Sequence, residues 1–185
     1  MRVPIVLLFL SSAIAALSLA AHGPVASGPL LVALVGLLIG ALLLARALRA
    51  RRKLWIVVDG SNVLHWHPTG PRLEAVTAVV AELSRRGFAP VVWFDANAGY
   101  LVANRYLGPA PFARLLGLPE RQVYVAPKGT PADPLLLHGA NLLGARVVTN
   151  DRFRDWAAAH PRVTEPGYLI RGRVEGERVV LDGVG

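Results

Sequence analysis

The chain has 185 residues, of which 54% are hydrophobic and only 17% are charged, and its formal net charge is +8. This composition excludes an intrinsically disordered protein and favours the presence of a membrane segment. The absence of cysteine excludes a disulfide framework, cysteine-ligated zinc and a thiol nucleophile.

Two uncharged apolar stretches, residues 3–21 and 25–45, open the chain on either side of a break at 22–24. Each is close to the ~20 residues that a helix needs to cross a bilayer core. A cluster of basic residues follows at once: Arg46, Arg49, Arg51, Arg52 and Lys53. Because cytoplasmic flanks carry the excess of Lys and Arg, we predict a two-helix anchor over residues 1–53. We expect a multi-pass protein of the inner (cytoplasmic) membrane, in contact with the lipid bilayer, with residues 54–185 in the cytoplasm.

A cleaved signal peptide is the alternative for the first stretch. Arg2, a leucine-rich core and the small residues Ser18, Ala20 and Ala21 are typical of such a peptide. The apolar run is longer than the usual h-region of about 7–15 residues, which favours a membrane span. Both interpretations leave the basic flank, and therefore the rest of the chain, in the cytoplasm. Two core helices of a soluble protein are disfavoured because neither stretch has a polar face.

Residues 54–185 alternate between strand and helix patterns and are predicted to form one α/β domain. Continuous apolar runs, typical of strands buried on both faces, predict strands over 54–58, 91–94, 123–125 and 146–149. Helical spacing predicts helices over 73–83, about 101–116, 134–143 and 152–159. The tail predicts a β-hairpin over about 167–182, with its turn at Glu175–Gly176. The alternation indicates a mostly parallel, doubly wound sheet with helices on both faces.

Five aspartates lie where their side chains can converge. Asp59, Asp95 and Asp151 follow predicted strands, Asp133 begins a helix, and Asp155 lies one predicted helical turn after Asp151. The carboxyl ends of parallel strands share one edge of a sheet, where ligands bind. Grouped carboxylates repel one another unless a cation offsets them, and oxygen ligands suit Mg²⁺ or Mn²⁺. Taken singly, each aspartate is also explained by a turn, a helix cap or a surface ion pair.

Three segments of the domain carry a recognisable pattern: WIVVDGSNV (55–63), GTPAD (129–133) and VVTNDRFRD (147–155). In this order they resemble the NYN domain of the PIN-like nuclease superfamily and are most like the regnase-type ribonucleases. The resemblance implies a PIN-like three-layer α/β fold and metal-dependent cleavage of RNA, with no organic cofactor. By motif position it implies these catalytic residues: Asp59, Asn62, Asp133, Asp151 and Asp155. The four aspartates among them are the implied metal ligands. One departure is that Asp133 is a single acid where the regnase branch often has two adjacent acids.

Further residues near these motifs are candidates for holding the substrate. Lys128, Arg152 and Arg154 flank the predicted site and could hold phosphates on either side of the cut, and Ser61 lies within the first motif. Each basic residue is equally well explained as solvated surface. Trp66 could stack on a base or lie in the core.

The sequence therefore predicts a membrane-anchored, divalent-metal-dependent ribonuclease that cuts RNA internally. The alternative is a membrane-tethered RNA-binding or scaffold module with weak or no turnover, which the single acid at Asp133 favours. A phosphatase with an aspartyl nucleophile is disfavoured because Ser61 stands where its second acid is needed. The sequence leaves a homodimer open.

The net charge divides unevenly between the two parts of the chain. Residues 1–53 contain six basic residues and no acidic residue, whereas residues 54–185 contain 14 basic and 12 acidic residues. Most of the excess positive charge is therefore a signal of membrane topology, and the RNA hypothesis rests on the aspartates.

Overall fold

The structure is a computed structural model that describes residues 2–22, 28–51, 53–176 and 178–183. The chain divides into two compact units, Met1–Lys53 and Leu54–Gly185. Part of the predicted interhelical break, Gly23 and Pro24, lies outside the described residues, and so does Arg52 of the basic flank.

The first unit is a pair of packed helices, α1 (Arg2–His22) and α2 (Gly28–Arg51). Both are long and apolar enough to cross a membrane. Their contact uses small residues, because a side chain on Gly36 would collide with Ser11 and one on Gly40 would collide with Leu8. Close approach at small residues is the way helices pack in lipid, where the surrounding solvent is itself apolar.

The second unit is built on a five-stranded sheet in which every neighbouring pair is parallel. The strands, in the spatial order β3-β2-β1-β4-β5, are β1 (Leu54–Asp59), β2 (Phe88–Phe94), β3 (Val123–Val125), β4 (Arg146–Val148) and β5 (Leu169–Ile170). The central strand β1 has Ile56, Val57 and Val58 wholly buried, as a strand covered on both faces requires. The predicted α/β class with a mostly parallel sheet is confirmed.

Helices cover both faces of the sheet and give three layers. They are α3 (Gly60–Leu64), α4 (Leu73–Arg85), α5 (Ala98–Ala103), α6 (Pro109–Leu116) and α7 (Ala132–Leu143). On one face, Val76 of α4 and Phe112 of α6 pack in one core cluster with Phe94, and the rings of Phe94 and Phe112 stack at 4.1 Å. On the other face, Leu136 of α7 packs in a second cluster with Val57.

Two of the predicted helices differ from the structure. The helix predicted over about 101–116 is divided into α5 and α6, because Asn104 ends α5 at a φ of 58° and Pro109 starts α6. The helix predicted over 152–159 is wrong: Phe153 has a φ of 48°, and only a short 3₁₀ turn follows. Asp155 therefore does not lie one α-helical turn after Asp151.

The tail differs in its strand pairing. Leu169–Ile170, which the sequence placed in the hairpin, instead pairs with β4 at the edge of the main sheet. The hairpin is a separate two-stranded sheet formed by β6 (Gly172–Glu175) and β7 (Arg178–Leu181). Val174 and Leu181 join the core cluster that contains Phe94, so the hairpin is packed onto the domain.

Candidate active site

A cleft of about 230 Å³ lies at the carboxyl ends of β1, β2 and β4 and beside the start of α7. It is lined by Asp59, Ser61, Asn62, His65, Asp95, Asn97, Leu101, Asp133 and Asp151. The structure therefore brings together most of the predicted site residues. It also brings in Asp95, which was expected to converge with the other aspartates but lies outside the three family motifs. The remaining predicted site residues are exposed and do not line the cleft: Lys128, Arg152, Arg154 and Asp155.

Asp59, the last residue of β1, is only 7% exposed. Its Oδ1 accepts a hydrogen bond from the backbone N–H of Asn62 (3.1 Å) and its Oδ2 accepts one from Oγ1 of Thr149 (2.9 Å). The pKa of Asp59 is raised to about 7, mainly by burial. The two hydrogen bonds oppose this rise, and the charges of Asp133 and Asp95 add to it. The next residue has to be Gly60, since a side chain there would collide with the ring of Phe94.

Thr149 connects Asp59 to Asp151. Its hydroxyl oxygen also accepts a hydrogen bond from the backbone N–H of Asp151 (3.0 Å), and Oδ1 of Asp151 accepts one from the N–H of Phe153 (2.9 Å). Phe153 is buried, which offsets the cost of its left-handed backbone and holds the loop in place. Sequence reasoning missed Thr149, although it follows a buried strand directly and precedes the Asn-Asp pair.

The side chain of Asn62 is held by two donors. Its Oδ1 accepts hydrogen bonds from Nε1 of Trp66 and from the backbone N–H of Asn150, both at 2.9 Å. The amide Nδ2 is therefore the polar group of Asn62 that remains for a ligand in the cleft. Trp66 is partly buried against the core, which favours the core interpretation of this residue over base stacking.

Asp133, in the first turn of α7, is half-buried across the cleft. Burial raises its pKa, and the negative charges of Asp151 and Asp95 raise it further, while a hydrogen bond from the side chain of Trp156 lowers it. Trp156 is a second residue that sequence reasoning missed, and its only signal was its position beside Asp155. Ser61 supports the opposite wall, since its Oγ accepts a hydrogen bond from the backbone N–H of Asp95 (2.7 Å).

The cleft brings four aspartates together and offers little to neutralise them. Within the described ranges, the ion pairs involve Glu82, Glu165 and Glu175, and none involves an aspartate of the cleft. In the same ranges, no three Asp, Glu or His side chains lie close enough to hold one ion together. Mg²⁺ usually keeps several waters and takes one or two carboxylates directly. The acids that are present therefore fit a hydrated divalent cation, and not a preassembled cage of three ligands.

Comparison with known proteins adds a family and a fold. The family model described as the Zc3h12a-like ribonuclease NYN domain matches residues 52–168. The structure is similar to that of nuclear proteinaceous RNase P 2 (PRORP2) from A. thaliana, with a TM-score of 0.52 and 16% identity over 70% of this chain. A second structure, of Arabidopsis thaliana nuclear protein-only RNase P 2, gives a TM-score of 0.50 and 17% identity over 70%.

This chain covers only 29% of the length of either of those chains. A search of the curated proteins finds no match. The matches confirm the NYN resemblance that the three motifs predicted, and with it the PIN-like fold.

Proposed function

The chain belongs to the Zc3h12a-like ribonuclease NYN family, and we propose that it is a membrane-anchored, divalent-metal-dependent ribonuclease that cuts RNA internally. One observation carries the proposal: the family's acidic motifs converge on a single cleft that has four carboxylates and no ion-paired partner within the described residues. Maintaining such a group of acids costs free energy, which a bound cation offsets.

Asp59, Asp133 and Asp151 are the proposed metal ligands, directly or through water, with Asp155 as an additional ligand that has to approach from its exposed position. One or two Mg²⁺ or Mn²⁺ ions would lower the pKa of water and offset the charge that develops on the phosphate. Asp59 is oriented for this by Asn62 N–H and Thr149, which fix both of its oxygens. Asp151 is fixed by Phe153 N–H.

Other groups of the site are proposed to hold the RNA. Nδ2 of Asn62 donates a hydrogen bond to a phosphate oxygen, since the Oδ1 of that residue is already used within the protein. Ser61 lines the same cleft. Lys128, Arg152 and Arg154 contact phosphates farther from the cut, as their exposure outside the cleft allows.

The proposed place of the enzyme is the inner (cytoplasmic) membrane, which α1 and α2 cross. Support comes from the length of the two helices, from their uncharged stretches 3–21 and 28–45, and from the exposure of their large apolar side chains, which water would disfavour. The basic flank that begins within α2, residues 46–53, then keeps the second unit in the cytoplasm, where RNA is present. Sedimentation of the purified chain tests whether it forms a homodimer.

The test is cleavage of circular RNA by the full chain in detergent micelles, with Mg²⁺, with Mn²⁺ and with EDTA. Circular RNA has no ends, so only an internal cut can open it. We expect cleavage with a metal and none with EDTA, and a loss of at least about 100-fold in Asp59→Asn and Asp151→Asn. Asp182→Asn is the matched control, because Asp182 is exposed and does not line the cleft.

A second candidate is a tethered RNA-binding module with weak or no turnover. It is favoured by the observation that, within the described ranges, no three ligand side chains lie close enough to share an ion. Binding of RNA without cleavage in either metal would establish this candidate and overturn the ribonuclease proposal.

A further inference from the structure

A second surface feature adjoins the cleft. We call it the arginine groove; it has a volume of about 560 Å³ and lies between the start of α4, the end of α5 with the loop that follows, and α6. Its lining includes Arg72, Arg105 and Arg114, and a single acid, Glu74. Leu101 lines both the arginine groove and the cleft, so the two features meet at that side chain.

The three arginines have no carboxylate partner in the part of the chain that the structure describes. The ion pairs found there use other arginines: Arg85, Arg86, Arg162 and Arg173. Arg72, Arg105 and Arg114 are all exposed. A guanidinium with no carboxylate partner keeps its planar set of donors available for two oxygens of a phosphate.

The cleft needs such a neighbour if it is to bind a polyanion. None of its lining residues is Lys or Arg, whereas four are aspartates. Residues 54–185 as a whole offer little general attraction, since 14 basic residues face 12 acidic ones. Local cations must therefore supply the attraction for the strand, and the arginine groove is one neighbouring surface that has them.

The backbone holds one of the three arginines on a fixed support. Asn104 ends α5 with a φ of 58°, and the chain then folds back onto Gly99, where a side chain would collide with the backbone of Arg105 and Leu107. Leu107 is buried beneath this loop. Arg105 therefore projects from a constrained turn, which reduces the entropy lost when it binds a ligand.

We propose that the arginine groove binds the sugar-phosphate backbone of single-stranded RNA on one side of the cleaved bond. This inference rests on the proposed ribonuclease function and adds a second binding region to it. The lining suits a single strand because Leu101 and Leu115, which line the groove together with the arginines, are exposed and offer apolar contact to unpaired bases.

The test compares two triple variants of the full chain in detergent micelles. Arg72→Gln/Arg105→Gln/Arg114→Gln removes the charge of the groove, and Arg85→Gln/Arg121→Gln/Arg173→Gln removes the same charge from exposed sites elsewhere. Affinity for a fluorescent single-stranded RNA of about 12 nucleotides is measured by anisotropy in EDTA over a range of salt concentrations. Cleavage with Mg²⁺ is measured on the same preparations.

We expect the groove variant to bind about 10- to 100-fold more weakly and to lose about 2 units of the slope of log Kd against log salt, at roughly 0.7 per phosphate contact. The control variant should lose much less affinity. Cleavage by the groove variant should show a raised KM with kcat nearly retained, because the acids are unchanged.

The outcomes separate the two proposals. If the wild-type chain cuts RNA and the two triple variants behave alike, the groove proposal is overturned and the ribonuclease proposal stands. If the groove variant loses affinity equally for duplex RNA, the single-strand assignment is overturned. If the wild-type chain neither binds nor cuts RNA, both proposals fail.

Discussion

The two units of this chain bury opposite kinds of side chain. In the helix pair, Ser11, Ser18 and Ala33 are buried, while Phe9 is 75% exposed. In the α/β unit most of the wholly buried side chains are apolar, and Phe94 is among the largest of them. The same apolar residue types are thus exposed in one unit and buried in the other, as the proposed membrane anchor requires. Hydrophobic burial organises the second unit, whereas close backbone contact organises the first.

The largest expected effect comes from removing residues 1–53. The full chain should sediment with membranes and resist extraction by high salt, because the proposed anchor places its exposed apolar side chains in lipid. Residues 54–185 alone should stay in the supernatant after ultracentrifugation, since they form their own compact unit. Release of the full chain by salt alone would show that the helix pair is not inserted.

The second prediction concerns ionisable side chains, which are distributed differently in the two units. Neither candidate span contains an ionisable side chain before Arg46, so the pH dependence of stability should arise in the second unit. Asp59 has a folded pKa of about 7, against an unfolded value near 3.9. Between these values the folded state holds a proton that the unfolded state has released, so stability falls as pH rises from about 4 to 7.

Asp59→Asn removes this loss. Its free energy of unfolding should match the wild type near pH 4 and exceed it by a few kcal/mol at pH 8 without metal, at about 1.4 kcal/mol per pKa unit. Urea denaturation at a series of pH values measures the difference. For the control Asp182→Asn, the difference from the wild type in the free energy of unfolding should not vary with pH. If the difference for Asp59→Asn were also independent of pH, the explanation by a buried acid would be refuted.

The smallest expected effect comes from placing the same charge on each unit. Leu38 lies near the middle of α2 and is 61% exposed, and Leu142 lies near the end of α7 and is 76% exposed. Leu38→Arg should make the free energy of membrane insertion less favourable by about 2.5–3.5 kcal/mol. Leu142→Arg should change the unfolding free energy by less than about 0.5 kcal/mol. A protease-protection assay measures the insertion of Leu38→Arg, and urea denaturation measures the stability of Leu142→Arg. If neither variant differed from the wild type, the idea that the two units face different solvents would be contradicted.

Regular patterns in the sequence were enough to predict most of the fold. The apolar run of β1 and the helical spacing of α4 depend on local chemistry, and both elements form where expected. The β5 pairing could not be predicted, because a two-residue strand has no periodicity and depends on its neighbour β4. The helix expected at 152–159 failed because burial of the Phe153 ring overrides helical propensity.

The candidate site was predictable where its residues follow strands and hidden where tertiary contacts create it. Asp59 and Asp151 were found from position alone. Thr149 acts through hydrogen bonds that appear only when β1 and β4 are adjacent, and Trp156 acts on Asp133 from another segment. The arginine groove was missed for the same reason, since its members are separated along the chain.

Gly172, the first residue of the hairpin, lies at the meeting point of two side chains that support the site. Its carbonyl and N–H pair with the carboxamide of Asn150 at 2.9 and 3.1 Å, and a side chain on it would collide with Trp66. Asn150 and Trp66 are the two donors that hold Asn62. The family match, however, ends at residue 168. The packed domain thus extends beyond the family match, and the hairpin that follows it holds Asn150, in the loop after β4, in place.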